Sequence, residues 1–139
     1  MAGNKQLRLV LVTPEKTLRD EPVAELRFPL YDGQMGVLPG RAPLVGRLGA
    51  GELYFREVSG SHHSYFIDGG FVQIKGEVVT ILTNRAIPVE GLSRQQAEEQ
   101  LKQALARPAH NDLEIDVRAR DEQRARQMVA LARKSHMGA

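Results

Sequence analysis

Residues Asp32 to Gly51 read DGQMGVLPGRAPLVGRLGAG, with glycine at positions 33, 36, 40, 46, 49 and 51 and proline at 39 and 43. Between these punctuating residues stand Met35, Val37, Leu38, Leu44, Val45 and Leu48. Glycine reaches backbone angles that other residues avoid, and proline fixes one angle and removes a donor. Such density predicts tight turns at defined places, joined by short apolar pieces that require burial. A flexible linker would be rich in Gly and Ser without the apolar anchors. Two readings follow: a set of turns in a β-sandwich, or a shaped surface that docks onto a partner.

The flanking chain supplies strands. Before the stretch, Leu7–Val12 reads LRLVLV, Thr17–Arg19 is a short second strand closed by Asp20-Glu21-Pro22, and Val23–Leu30 alternates. In that last run Ala24, Leu26, Phe28 and Leu30 share one face, the period-two pattern of a half-buried strand. Pro29 lacks a donor and places this end at an edge or a bulge. Asp32-Gly33 is a turn signal. After it, Leu44–Leu48 is a short strand, Gly49-Ala50-Gly51 turns the chain, and Glu52–Val58 is the next strand. Ser64–Ile67 follows, with a turn at Asp68-Gly69-Gly70, and Phe71–Ile74 with Val78–Leu82 reads as a hairpin. Short strands separated by turn signals every 8–12 residues or so are the rhythm of an antiparallel sandwich or barrel.

At Pro88 the character changes. No β-branched residue follows Gly91 until Ile115. Ser93 and Gln96 form a capping-box pair, and Ala97, Leu101, Ala104 and Leu105 fall on one helical face. Pro108 stops this helix. Asn111 or Asp112 caps a second one, running to about Lys134, whose apolar side holds Val117, Ala125, Met128, Val129 and Ala132 and is interrupted by Asp121. An alanine-heavy stripe contributes little on docking, at about 0.8 kcal/mol per buried methylene. The expected fold is therefore α+β: an N-terminal antiparallel β-sandwich, residues 1–88, followed by a C-terminal α-helical hairpin, residues 89–139. The hairpin is expected to be marginally held, and larger side chains at Ala104 and Ala125 to trap one of its positions.

Composition bounds the function. The chain has 139 residues, a formal net charge of +2 and no cysteine. That excludes disulfides and thiol chemistry, and the near-balanced charge lacks the basic footprint of a nucleic-acid binder. No apolar run reaches the length of a membrane span, and the N-terminus lacks the features of a secretory signal. Cytoplasmic residence and no direct membrane insertion are expected. No phosphate-binding glycine loop is present. His62 and His63 are adjacent, so on a strand they point to opposite faces and do not share a metal; a solvated strand end is the simpler reading. Carboxylates are scattered, with no paired cleft signature. An enzyme is not expected, and neither a metal nor a cofactor is implied. The last helix carries six cations, Arg118, Arg120, Arg124, Arg126, Arg133 and Lys134, against Asp121 and Glu122 over the same span. This is either a solvated face or a contact for an acidic partner surface.

These residues together resemble the epsilon subunit of bacterial F-type ATP synthases. Gly36-Val37-Leu38-Pro39-Gly40-Arg41-Ala42-Pro43-Leu44 is similar to that family's G-[IV]-L-P-G-H-A-P-L. Gly49-Ala50-Gly51 matches its small-residue turn, Asp68-Gly69-Gly70-Phe71 its S/D-G-G-[FI] corner, and Val78–Leu82 its last sandwich strand. The resemblance implies a non-catalytic rotor subunit of the central stalk, coupling proton flow to ATP synthesis at the cytoplasmic side of the bacterial inner membrane. It implies a sandwich bound to the gamma subunit and the c-ring, with Asp32, Gln34, Met35, Val37, Leu38, Arg41, Pro43 and Leu44 as interface candidates. It also implies that the hairpin can extend and inhibit ATP hydrolysis by meeting the alpha and beta catalytic subunits through its cations. Two departures stand out. Arg41 and Gln34 occupy positions where the family has His and often Glu; arginine keeps its charge where histidine would titrate, which implies a ring contact that is more electrostatic and less pH-sensitive. Leu92-Ser93-Arg94-Gln95-Gln96-Ala97 aligns with an [IL]-D-x-x-R-A motif through which some members bind ATP. Ser93 and Gln96 replace both charged ligands, so no tight ATP binding is implied. The alternative, a nucleotide-sensing module whose hairpin closes on ATP, depends on those two positions.

Overall fold

The computed structural model describes residues 6–37 and 43–137. Seven strands come first: β1 Leu7–Val12, β2 Thr17–Leu30, β3 Gly33–Gly36, β4 Leu44–Glu57, β5 His62–Lys75, β6 Val78–Leu82 and β7 Ala86–Pro88. One turn of 3-10 helix, Val89–Gly91, leads to α1 Arg94–Ala106 and α2 Asp112–Met137. The expected α+β order of a β-sandwich followed by two helices is present. The chain divides into two compact units, residues 1–86 and 87–139.

In the first unit the strands run in the order β1-β6-β5-β4-β2-β3, and an additional β1–β2 pairing closes the sheet on itself. The β1–β2, β2–β3, β2–β4, β4–β5 and β5–β6 pairings are antiparallel, whereas β1 and β6 are parallel with Arg8 opposite Val78. Alternate residues of β1 point inward: Leu7, Leu9 and Leu11 are buried. They meet a core that includes Phe28, Leu53, Phe55, Ile67 and Val72, all essentially inaccessible to solvent.

Three breaks expected from the sequence are absent. Asp20-Glu21-Pro22 does not end a strand. β2 runs unbroken because it exchanges neighbours there: its first half pairs with β1, Leu11 facing Arg19, and its second half with β4, beginning at Val23 opposite Glu57. The register slips between Val23 and Glu25, so Val23 is buried and Ala24, expected on the inner face, is exposed. Pro29 lies within a second slip between Arg27 and Leu30, where a missing donor is tolerated.

The other two breaks, at Gly49-Ala50-Gly51 and Asp68-Gly69-Gly70, are bends inside β4 and β5 rather than turns. The two strands keep one register through the bend, Leu48 facing Gly70 and Ala50 facing Asp68. The buried positions change parity there, from Leu48 to Leu53 and Phe55 on β4, and from Ile67 to Val72 and Ile74 on β5. Both strands thus cross together from one layer of the sandwich to the other. Glycine is required because the backbones are in close approach. A Cβ on Gly49 would lie 2.9 Å from the Leu30 carbonyl oxygen, and one on Gly70 would lie 1.9 Å from that of Leu82. Gly69 and Gly70 also have positive φ, 75° and 111°. The Thr83 hydroxyl, buried here, donates to the Gly69 carbonyl at 2.7 Å and holds the corner.

In the second unit the helix ends are capped as their sequences dictate. Ser93 Oγ accepts the Gln96 N–H at 3.2 Å. Asn111, rather than Asp112, caps α2: its Oδ1 accepts the Glu114 N–H at 2.8 Å, and the Glu114 carboxylate accepts the His110 N–H at 2.7 Å. The first bond satisfies a donor that a helix start otherwise leaves open, and the second ties the residue before the cap to the first turn. α1 and α2 pack together. The apolar stripe of α2 is shorter than its sequence suggests. Ala125, Met128, Val129, Leu131 and Ala132 are buried, whereas Val117 is 39% exposed and Leu113 and Ile115 more so.

Candidate docking surfaces

The candidate sites are surfaces. The first is the tip of the β2–β3 hairpin with the start of β4, residues 32–44. Asp32 is exposed at its tip. Gln34 is exposed on β3 and donates to the Glu52 carbonyl at 3.4 Å. Met35 and Leu44 are half-buried and pack against the sandwich core, while Pro43 is exposed. Val37 is only 4% exposed and belongs to the core, so its side chain is not available to a partner. Leu38 and Arg41 lie outside the described residues.

The second surface was not singled out from the sequence. Beyond the bend, the residues of β4, β5 and β6 alternate cleanly. Arg47 faces Phe71 and Phe71 faces Leu82; in the next row Val45 faces Gln73 and Gln73 faces Thr80; Lys75 faces Val78. Residues directly opposite in antiparallel strands share a face, and the other face is the core with Val72, Ile74, Val79 and Ile81. The outward face is therefore a ladder of unusual composition, with Val45 71%, Phe71 57%, Leu82 46% and Val78 38% exposed. Tyr31, 64% exposed, adjoins it: its N–H donates to the Arg47 carbonyl at 2.9 Å, and the Arg47 guanidinium lies 4.5 Å from its ring centroid. Large side chains clustered on one solvent-facing sheet mark an interaction site. The alternation was visible in Phe71–Lys75 and Val78–Leu82. What hid the patch was the bend, since a turn at Asp68–Gly70 leaves the facing of Phe71 undetermined.

At the far end of β4 and β5 the two histidines point to opposite sides, as adjacency on a strand requires. The solvated strand end is corrected by the contacts of His63. Its ring stacks on Phe55 with centroids 5.0 Å apart, its Nε2 meets the Glu57 carboxylate, and Arg19 approaches its Nδ1 at 3.4 Å. His62 bonds instead to the Tyr54 hydroxyl.

The third surface is the cationic helix. Counting charges along α2 overstates what it offers. Arg133 bonds to Glu98 of α1 at 3.1 Å, Arg124 to Asp121 at 3.1 Å, and Arg126 lies 3.8 Å from Glu122. Arg118 donates to the Arg107 carbonyl at the end of α1. Arg120 is exposed and makes no ion pair among the described residues, and Lys134 is exposed near the end of α2. The interrupting Asp121 has a structural role, because it also receives Arg107 at 2.5 Å and so ties the two helices. Glu98 does the same at the other end, held by Arg133 and Arg94. Those bonds, Arg133 first, hold the Glu98 carboxyl below its ordinary range. The tie is accordingly complete above the ordinary carboxylate range and is lost as pH falls through the depressed value. The protection factors of α1 amides, their exchange rates taken relative to the unstructured chain at the same pH, are expected to fall on acidification there, and Glu98→Gln to remove that component.

Ala104 and Ala125 are 2% and 3% exposed. Leucine at Ala104 would overpack a filled site at a cost of about 1–3 kcal/mol. A thermal melt in which Ala104→Leu raised hairpin stability would contradict this packing.

Among the described residues no helix is long and apolar enough to cross a membrane. A closed β-sandwich followed in the chain by a helical hairpin defines a class with known relatives. The family model for the ATP synthase delta/epsilon chain, beta-sandwich domain, matches residues 6–89. The ATP synthase epsilon chain of Rhodopirellula baltica is 41% identical over 127 residues, 91% of this chain and 98% of that one. That of Granulibacter bethesdensis is 35% identical over 133 residues, 92% of this chain and 98% of its own. A chain of the Euglena gracilis mitochondrial ATP synthase, solved as OSCP/F1/c-ring, superposes with a TM-score of 0.81 at 26% identity, covering 91% of this chain and 81% of that one. A chain of the Tetrahymena thermophila mitochondrial ATP synthase central stalk and c-ring shares the fold, with a TM-score of 0.69 at 13% identity over 91% of this chain and 96% of that one. The chain belongs to the epsilon-chain family of F-type ATP synthases.

Proposed function

We propose that this chain is a non-catalytic subunit of the central stalk, peripheral to the cytoplasmic side of a bacterial inner membrane, where it helps to couple proton flow to ATP synthesis. The observation that carries the reading is the outward ladder of β4, β5 and β6, which holds Val45, Phe71, Val78 and Leu82 in solvent on a sandwich made rigid by its closed sheet. A rotor element must transmit torque through such a surface without slipping. The ladder is the docking face for the gamma subunit. The adjoining tip at Asp32 and Gln34, with Pro43, meets the c-ring. The Euglena neighbour, solved together with F1 and a c-ring, supports these partners.

The hairpin is the regulatory part. Its two ends are held by exposed ion pairs at Glu98 and Asp121, each of which contributes little in water. Its outer half leaves Leu105, Leu113 and Ile115 exposed. Such a hairpin exchanges between arrangements at low cost, and in an extended one its cations meet an acidic segment of the alpha and beta subunits. Arg120, exposed and without an ion pair among the described residues, is available without breaking an internal contact. Ser93, placed where an ATP-binding member has aspartate, caps α1 instead, in keeping with weak or no ATP binding.

Removing the residues after Pro88 is expected to leave assembly with gamma and the c-ring intact and to raise the ATPase rate of the reconstituted synthase. An unchanged rate would remove the inhibitory role while leaving the stalk role. Failure of the intact chain to co-purify with gamma and the c-ring would overturn the stalk role itself.

A further inference from the structure

The outward ladder carries a charge with no visible counterpart. Its eight strand positions are Val45, Arg47, Phe71, Gln73, Lys75, Val78, Thr80 and Leu82, which include two cations and no carboxylate. Neither cation pairs with an acid among the described residues. Arg47 stands within the apolar part, beside Phe71 on one strand and Tyr31 on the other side. Stacking on the Tyr31 ring occupies the flat face of the guanidinium and leaves its N–H edge, a fork suited to a carboxylate, without an acceptor among the described residues. An arginine held in one orientation loses less freedom on binding than a mobile lysine.

Resting on the reading of this ladder as the gamma-docking face, we infer that Arg47 receives a carboxylate of the gamma subunit at the centre of that interface. The partner surface must then be apolar with an acidic group opposite Arg47, and Tyr31 is a positioning residue that holds the fork. Desolvation by Phe71, Leu82 and Val45 strengthens the pair once docked, because a charge-assisted bidentate bond is stronger away from water. A guanidinium buried there without a carboxylate would oppose docking, so Arg47 also selects against partners lacking the acid.

The test is binding of the full chain to the gamma subunit of the same synthase, measured across ionic strength for the unaltered chain, Arg47→Met and Phe71→Ala. Methionine keeps the apolar stem and removes the fork, and both sites are exposed, so an unchanged melting temperature verifies folding. Arg47→Met is expected to weaken binding about tenfold or more at low salt, with a shallower salt dependence. Phe71→Ala is expected to weaken binding at every salt concentration. If Phe71→Ala weakens binding and Arg47→Met leaves it unchanged, or weakens it equally at all salt, the carboxylate contact is overturned and the docking face stands. If neither substitution affects binding, the docking face itself is wrong.

Discussion

Replacing Gly70 by alanine is expected to unfold the sandwich. The added Cβ would sit 1.9 Å from the Leu82 carbonyl oxygen and 2.9 Å from the Thr83 Cα, both backbone atoms that no rotamer change can move. Its φ of 111° is a further barrier to any L side chain. Relief requires β5 and the end of β6 to separate, and with them the Phe71–Leu82 and Val72–Ile81 pairs. The Thr83 hydroxyl would also lose the Gly69 carbonyl it now reaches. Losses of this kind exceed about 4 kcal/mol, comparable with the whole stability of a small domain at about 5–15 kcal/mol. Gly76 is the control: it too has positive φ, 62°, but nothing lies within 4 Å of its added Cβ. Gly76→Ala should cost only about 1–2 kcal/mol. Urea denaturation of both variants checks the pair, and a Gly70→Ala protein with near-normal stability would show that the corner is built differently.

The second large effect separates two phenylalanines on neighbouring strands. Phe55 of β4 is wholly buried, stacked between His63 and Tyr65 at 5.0 and 6.1 Å, with the Arg19 guanidinium 5.5 Å from its ring centroid. Phe55→Ala is expected to cost about 3–5 kcal/mol through lost burial and the cavity left behind. Phe71 of β5 is 57% exposed on the outward ladder. Phe71→Ala is expected to change stability by no more than about 0.5 kcal/mol. It should instead weaken docking by about 2 kcal/mol, or roughly thirtyfold, as an aromatic anchor at an interface does. Thermal melts and gamma-subunit binding of the two variants should therefore give opposite patterns. A stable Phe55→Ala protein, or a Phe71→Ala protein that binds normally, would contradict the assignment of inner and outer faces.

Strand content, the change to helices after Pro88 and both helix caps were legible because each rests on contacts within a few residues. Ser93 finds Gln96 and Asn111 finds Glu114 at fixed helical spacing, whatever the rest of the chain does. The candidate sites were legible only in part. The tip at Asp32 and Gln34 is exposed, but Val37 from the same motif fills the core, because its side of the strand is decided by pairing and not by the motif. The cations of α2 are visible in sequence, whereas the acid that engages Arg133 lies on α1, 35 residues away.

The sequence by itself determined that glycine would control the path of the chain between Asp32 and Gly51, and that the chain has the motifs of its family. Only the tertiary structure decided what the glycines at 49 and 70 do. Each lies against a carbonyl of another strand, that of Leu30 or Leu82, so the chain bends there without reversing. That bend changes which face each later residue occupies. It thereby places Val72 in the core and Phe71 in solvent, a distinction that depends on the facing strands β4 and β6.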